Sequence, residues 1–391
     1  MVNAPVSAAV PIGSSRSARP GKKCDGDDWW GDAIGGRAGR RYDQEMILSR
    51  QTRIFESSKK GLGPAVHSPV ALALLFAFGL VVRLQGSAVG APPETAPGTA
   101  SGAAQPRVVA TTTVVADLVR QVAGGRVVVD CLMAPGIDPH SYKATPRDVD
   151  RLAKANLVIA SGLHLEGKLS ELLSRLGRRV PVVAVADGLP RDRLLEVADG
   201  LWDPHVWFDA GLWSLCAPET AAALTKLDPA GADVYRDGAR DYAARLVALD
   251  DEMRAQLARV PKERRVIVTA HDAFRYFGRA YDVEVVGVQG TSTEAEAGLA
   301  DINRLVDLVV TRRIPAVFVE TSVSDRNVTA LREGAKSRGH EVELGGRLYS
   351  DSLGAPDSGA ETLEEVLRAN LQTILQGLGG PQDRLDPVTQ P

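Results

Sequence analysis

The stretch from Asp228 to Val260, DPAGADVYRDGARDYAARLVALDDEMRAQLARV, constrains the fold more than any other part of the chain. Val234 and then Ala239, Tyr242, Leu246, Leu249, Met253 and Leu257, the last six at three- and four-residue spacing, predict one amphipathic helix. Asp228 is placed to cap it, Pro229 suits its first position and Pro261 stops it. At 1.5 Å per residue the helix reaches roughly 45 Å, more than one small domain can cover. Strand-like and helix-like segments alternate on both sides of it. The expectation is an α/β fold in which this single long backbone helix, residues 228–261, joins two βα lobes with parallel sheets, 107–227 and 262–380.

With 391 residues, 44% of them hydrophobic, both lobes can bury a core. The 46 Lys and Arg nearly balance the 49 Asp and Glu, and no sustained basic run follows the N-terminal region, which argues against a nucleic-acid partner. Three cysteines, Cys24, Cys131 and Cys216, show no CxxC spacing. Neither a thiolate metal site nor a disulfide framework is expected, and Cys131 and Cys216 pair only if the fold brings them together.

Residues 1–65 are rich in Gly, Ser and Arg without apolar periodicity and read as a disordered or misassigned extension. Segment 66–91 holds an apolar run from Pro69 to Val82, short for a membrane span but the size of a secretory signal core, with Lys59 and Lys60 upstream and small residues after it. Cleavage after Ala88 or Ala91 and a start at Met46 are the expectations; a short uncleaved N-terminal anchor is the alternative. Either way the folded part lies outside the cytoplasm. No cysteine follows the run closely, which argues against a lipid-anchored mature end. Residues 92–106 read as a flexible linker and 381–391 as a tail.

In the first lobe, RVVATTT from Arg107 reads as a strand, ADLVRQVAG as a helix and RVVVDCLM as a second strand, a βαβ opening. The loop after it carries His140, and Thr145 caps a helix that starts at Pro146. NLVIASG and VPVVAVA are two further strands, with GLHLEGKLSELLSRL as loop and helix between them. His205 lies in DPHVWFD, where an Asp-Pro turn and flanking aromatics hold it. Ligands of open parallel sheets gather at the carboxyl ends of the strands, where His140 sits. One histidine beside a turn is usually a surface hydrogen-bonding group, but the tripeptide Asp-Pro-His occurs twice, at 138–140 and 203–205.

In the second lobe, the strand from Val266 to Ala270 runs into His271, again at a carboxyl end. VEVVGVQG is a strand, TSTEAEAGLADINRLVDLVVTRR a capping sequence followed by a helix, and PAVFVETSV a strand ending near Glu320. A helix closed by Gly339, a short strand, and Asp351 in a loop before the last helix complete the lobe.

Six histidines occur in the chain, and three of them sit on predicted rims. Three neutral imidazoles and one carboxylate complete a tetrahedral shell for a borderline ion without any thiolate, and protons compete for such a shell as pH falls through roughly 6. At these residues the chain resembles the metal-binding receptors of ABC importers for zinc and manganese, the cluster A-I that includes the TroA-type proteins. The motifs are GIDPHSYKATPRDVDRLAKANLVIASGLHLEGK, DPHVWFD, VTAHDAFRYFGRAYDVEVVGVQG, FVETSV and LYSDSLG, in order, from Arg107 to Leu378.

The resemblance implies two Rossmann-like lobes bridged by one rigid helix, with the ion buried between them and His140, His205, His271 and Asp351 as its four ligands. It implies a monomeric extracytoplasmic receptor, with no catalysis, that delivers a divalent metal to a membrane permease. His164 is expected in packing or behind a ligand, and His340 as structural. Asp138, Asp209, Asp272 and Glu320 are the acids placed to receive an N–H from a ligand histidine. The chain lacks the His-rich loop of many zinc members, yet carries His271 where typical manganese members have glutamate. A nitrogen-rich shell puts Zn2+ first, Mn2+ second and Fe2+ third. Two other readings stand beside it, a zinc hydrolase and a surface adhesin of the same family.

Overall fold

The computed structural model describes residues 104–379, so the expectations for 1–65, 66–91, most of the linker and the tail fall outside the described residues. The first lobe opens with β1 (Arg107–Ala110), α1 (Thr113–Ala123) and β2 (Val128–Cys131), the expected βαβ unit. The three threonines do not extend the strand. Thr112 accepts a hydrogen bond from Val115 N (3.3 Å) and starts α1 early, because a hydroxyl at the N-cap satisfies an otherwise free helical N–H. Gly124 ends α1 at φ 55°, a left-handed turn in which glycine is unstrained. Thr145 and Asp148 cap each other's backbone at α2 (Pro146–Ala153).

After β3 (Leu157–Ala160), α3 (Ser170–Leu176) and β4 (Val182–Ala184), the sheet is complete, four parallel strands in the order β2-β1-β3-β4. A small antiparallel hairpin, β5 (Glu196–Ala198) with β6 (Leu201–Trp202), then leads into a 3-10 turn (Val206–Phe208), α4 (Ala210–Trp213) and α5 (Cys216–Leu227).

The long helix is present and shorter than expected. A 3-10 turn, Pro229–Gly231, precedes α6 (Ala232–Leu257), whose 26 residues span about 39 Å. Its buried stripe is Tyr235, Ala239, Tyr242, Leu246, Leu249, Met253 and Leu257, each three or four after the last. Val234 breaks that phase and is 41% exposed. Asp228 does not cap α6; its carboxylate accepts instead from Tyr235 Oη (2.6 Å) and Arg126 Nε (2.9 Å).

In the second lobe, β7 (Val266–His271), α7 (Arg275–Tyr281), β8 (Glu284–Gln289), α8 (Leu299–Arg312), β9 (Ala316–Glu320), α9 (Arg326–Ser337), β10 (Glu343–Leu348) and α10 (Leu363–Gly377) alternate. β7 pairs with β8 and β9 with β10, all parallel, and β9 lies beside β7. The expected capping sequence at Thr291 starts no helix. Ser292 Oγ accepts from Glu294 N (3.3 Å) within a turn, and α8 begins only after Gly298.

One apolar cluster holds Leu118 of α1, Trp213 of α4, Leu246 of α6, Phe277 of α7 and Leu371 of α10. The helix is thus a core member shared by both lobes, and each buried leucine there contributes roughly 1.5–3 kcal/mol. Separate clusters pack the second lobe's sheet around Val268, Val306 and Leu331, and the first lobe's other face around Val109, Leu152 and Leu173. Cys131 and Cys216 are free thiols.

Candidate metal centre

His140 lies on the loop after β2, His205 directly before the 3-10 turn at Val206, His271 at the last position of β7, and Asp351 on the loop after β10. His140, His271 and Asp351 stand at the carboxyl ends of parallel strands, His205 reaches the same point from the segment after the β5–β6 hairpin, and all four side chains are buried there. His205 Nε2 is 3.2 Å from His140 Nε2, 3.3 Å from His271 Nε2 and 3.3 Å from Asp351 Oδ1. His271 Nε2 is 3.5 Å from Asp351 Oδ2, and all four donor atoms lie within 4.8 Å of one another. Four ligands about 2.1 Å from a central ion stand about 3.4 Å apart in a tetrahedron, which the short edges match.

The rings are aimed by their other nitrogens. His205 Nδ1 is 2.8 Å from Asp203 Oδ1, and His271 Nδ1 is 2.5 Å from Glu320 Oε2. With those protons given to carboxylates, a neutral ring presents the Nε2 lone pair to the common point. Asp203 and Glu320 each also accept the backbone N–H of the histidine they hold, at 3.1 and 2.9 Å. Asp351 Oδ2 accepts from Ser322 Oγ (3.1 Å), whereas its buried Oδ1 has His205 Nε2 at 3.3 Å and, with that ring neutral, no donor. An unsatisfied carboxylate oxygen at full burial is costly, and a cation at the common point removes that cost.

Charge is divided unevenly among the rings. Burial opposes a proton on His271, but the carboxylates of Glu320 and Asp351 outweigh it and hold its pKa well above the ordinary imidazole range. His205 is raised as well, burial being overcome by Asp203 and Asp351. At His140 burial outweighs the charge of Asp351 and, with the neighbouring rings, lowers the pKa to about 4. Asp351 is held well below the usual carboxylate value despite its burial, by His271 and His205.

Of the four acids picked out for a ligand histidine, Glu320 takes the ring N–H. Asp138 takes the backbone N–H of His140 (2.9 Å) rather than its ring, Asp209 caps α4 through Leu212 N (2.8 Å), and Asp272 faces Arg275 (3.7 Å). Asp203 was missed. The repeated tripeptide carried the signal, since Asp138 and Asp203 close the same turn on the histidine two residues later. His164 is exposed at φ 65°, so it is not packed as expected, and it stands outside the tetrad. His340 is buried, its Nε2 2.8 Å from Ile314 O, the structural role expected of it.

Bonds between the lobes frame the site. Trp207 Nε1 donates to Ser350 O (3.1 Å), Gly136 N to Ser352 Oγ (2.8 Å) and Leu353 N to Thr113 Oγ1 (2.8 Å), so the Asp351 loop is fastened to the first lobe on both sides.

Known proteins agree with this architecture. Residues 108–377 match the family model ZnuA, described as zinc-uptake complex component A, periplasmic. The manganese-binding lipoprotein MntA of Bacillus subtilis is 44% identical over 275 residues, 70% of this chain and 90% of that protein. The zinc-binding protein TroA of Treponema pallidum is 41% identical over 274 residues, 70% of this chain and 89% of that one. The iron-binding protein YfeA of Yersinia pestis is 29% identical over 274 residues, 70% of this chain and 86% of that one. The solved structure of the T. pallidum periplasmic zinc-binding protein superposes with a TM-score of 0.69, covering 70% of this chain and 99% of that one. Two βα lobes, one shared helix and a buried tetrad of three histidines and an aspartate thus go with an extended sequence match, and the chain belongs to the ZnuA family of metal-binding substrate-binding proteins.

Proposed function

We propose that this chain is an extracytoplasmic receptor that binds a divalent transition metal on His140, His205, His271 and Asp351 and delivers it to the membrane permease of an ABC importer. The observation that carries the reading is the convergence of His140, His205, His271 and Asp351, whose donor atoms lie within 4.8 Å of one another with all four side chains buried. Lobes of 107–227 and 262–380 supply two ligands each, with the helical segment 228–261 between them. Zinc ranks first because three imidazole nitrogens and one oxygen suit it better than manganese. Manganese ranks second, on the name of the B. subtilis relative, and iron third, on that of the Y. pestis one. Four protein groups fill a tetrahedral shell, whereas a hydrolytic zinc keeps a position open for water, so the reading is transport without catalysis.

Among the described residues no helix is long and apolar enough to cross a membrane. Export on a signal segment that ends near Ser87–Pro92 places the receptor in the periplasm or cell envelope, where it acts as a monomer. Metal analysis of protein purified without added metal, followed by competition titration of zinc against manganese, tests the assignment. One equivalent of zinc retained over manganese is the expected result; no bound metal and no titratable site would overturn it.

A further inference from the structure

The tetrad is sealed from solvent almost completely: His205 and His271 are 0% exposed, Asp351 1% and His140 4%. One cavity of about 350 Å³ nevertheless has His140 in its wall, with Leu163, His164, Trp202, Pro204 and Glu294 among its other lining residues. It is bounded by both lobes. From the second lobe comes the segment Thr291–Glu294, exposed or half-buried, in a loop that runs from Gly290 to Gly298 without helix or strand. Two contacts hold it to the first lobe. Thr293 Oγ1 donates to Asp138 Oδ2 (2.6 Å), and Glu294 Oε1 lies 3.4 Å from Lys168 Nζ, with both side chains more than 40% exposed. Asp138 is the residue whose other oxygen fixes the His140 backbone, and Ser141 Oγ also bonds it (2.7 Å). The second-lobe loop is therefore latched to the very turn that presents His140.

We propose that the cation passes between solvent and the tetrad through this cavity, that the Thr291–Glu294 loop gates the passage through its Thr293–Asp138 latch, and that the exposed imidazole of His164 is a transient ligand on the way. The inference rests on the metal-receptor reading above and adds the route and its control. A surface ion pair such as Lys168–Glu294 holds little by itself, so the Thr293 bond is the main latch. A loop with few buried contacts opens at small cost, which suits a gate. A group that acts only on the passage alters uptake and release by the same factor and leaves the equilibrium untouched.

The test is stopped-flow kinetics of zinc binding, with release measured by a chromophoric chelator in excess, on the wild type, Thr293→Val and His164→Ala. Thr293→Val keeps the shape of the side chain and removes the latch; Asp138 stays fixed by His140 N and Ser141. Both rates should rise together, by about fivefold to tenfold, with Kd changed less than about threefold. His164→Ala should slow both rates by a similar factor, again at constant Kd. Rates unchanged in both variants, or a Kd that shifts through release alone, would overturn the proposal. Failure of the underlying reading looks different, since the wild type itself would then show no zinc association. Hydrogen exchange at residues 291–297 supplies a second readout: Thr293→Val should lose protection there while β7 and β9 keep theirs.

Discussion

Glu320 grips His271 at two points: its Oε1 accepts the histidine backbone N–H at 2.9 Å and its Oε2 faces the ring Nδ1 at 2.5 Å. Strand end, backbone and imidazole are thereby fixed by one buried carboxylate on the neighbouring strand. Glu320→Gln leaves one acceptor for two donors and turns an amide N–H toward one of them. Zinc affinity should fall by about 10- to 100-fold, the usual cost of losing a carboxylate behind a ligand histidine, with secondary structure unchanged. Competition titration decides; an unchanged Kd would remove Glu320 from the positioning role.

Metal binding should release protons. In the empty site the carboxylates around His205 and His271 favour a proton on each ring, while burial lowers His140 to about 4. An ion needs the Nε2 lone pair of each ring, so it displaces whatever protons those two rings hold, and its affinity falls as pH falls. Competition then begins above the ordinary imidazole value rather than below it. Without metal the signs differ group by group. The raised histidines stabilise the fold below their unfolded pKa, and this is lost as pH rises through their folded values. Asp351, held low, stabilises above its unfolded value and loses this as pH falls. Calorimetric titration with zinc in buffers of different ionisation heat counts the protons. Zero released would contradict the charge arrangement.

Ligand and structural histidines should separate in melting experiments. An ion at a thousandfold excess over Kd stabilises the native state by about 4 kcal/mol, a rise in Tm on the order of 10 °C for a protein of this size. His271→Ala should abolish most of that rise. His340→Ala should keep it while lowering both melting temperatures, because Ile314 O loses its partner. A full zinc-dependent rise in His271→Ala would place the ion elsewhere.

Much of this was legible in the chain because its signals are local. The spacing from Ala239 to Leu257 and the Thr145 cap each depend on residues a few positions apart, and each appears where expected. His140, His205 and His271 stand at turns or strand ends, and the family resemblance joined Asp351 to them. What was missed depends on partners far along the chain. Asp228 looks like a cap until Arg126, a hundred positions earlier, claims it. Thr291 to Glu294 has the spacing of a capping box, yet Thr293 is committed to Asp138 across the lobes, so no helix starts there. Val234 lies next to the residue that is buried, because the 3-10 turn at Pro229 sets the phase of the first helical turn.

The shared helix sets how far the lobes can move. Leu246, Leu249 and Met253 of α6 are buried in the same apolar cluster as Leu118 of the first lobe and Phe277 and Leu371 of the second. Asp117 of α1 accepts from Leu363 N at the start of α10 (3.0 Å), which ties the lobes again beside the helix. A wide hinge opening would have to expose this core, at roughly 25 cal/mol per Å2 of apolar surface, and no single ion gives enough to drive that reversibly. Metal-free and zinc-loaded protein should therefore give nearly superimposable solution scattering, with differences confined to loops such as 291–298. Leu246→Ala should cost about 2–5 kcal/mol of stability by leaving a cavity between the lobes. It should also widen the difference between the two scattering curves, since the packing that limits the hinge is then loosened. A large domain closure in the wild type on adding zinc would show that α6 bends or slides, and that the shared core does not restrain the lobes.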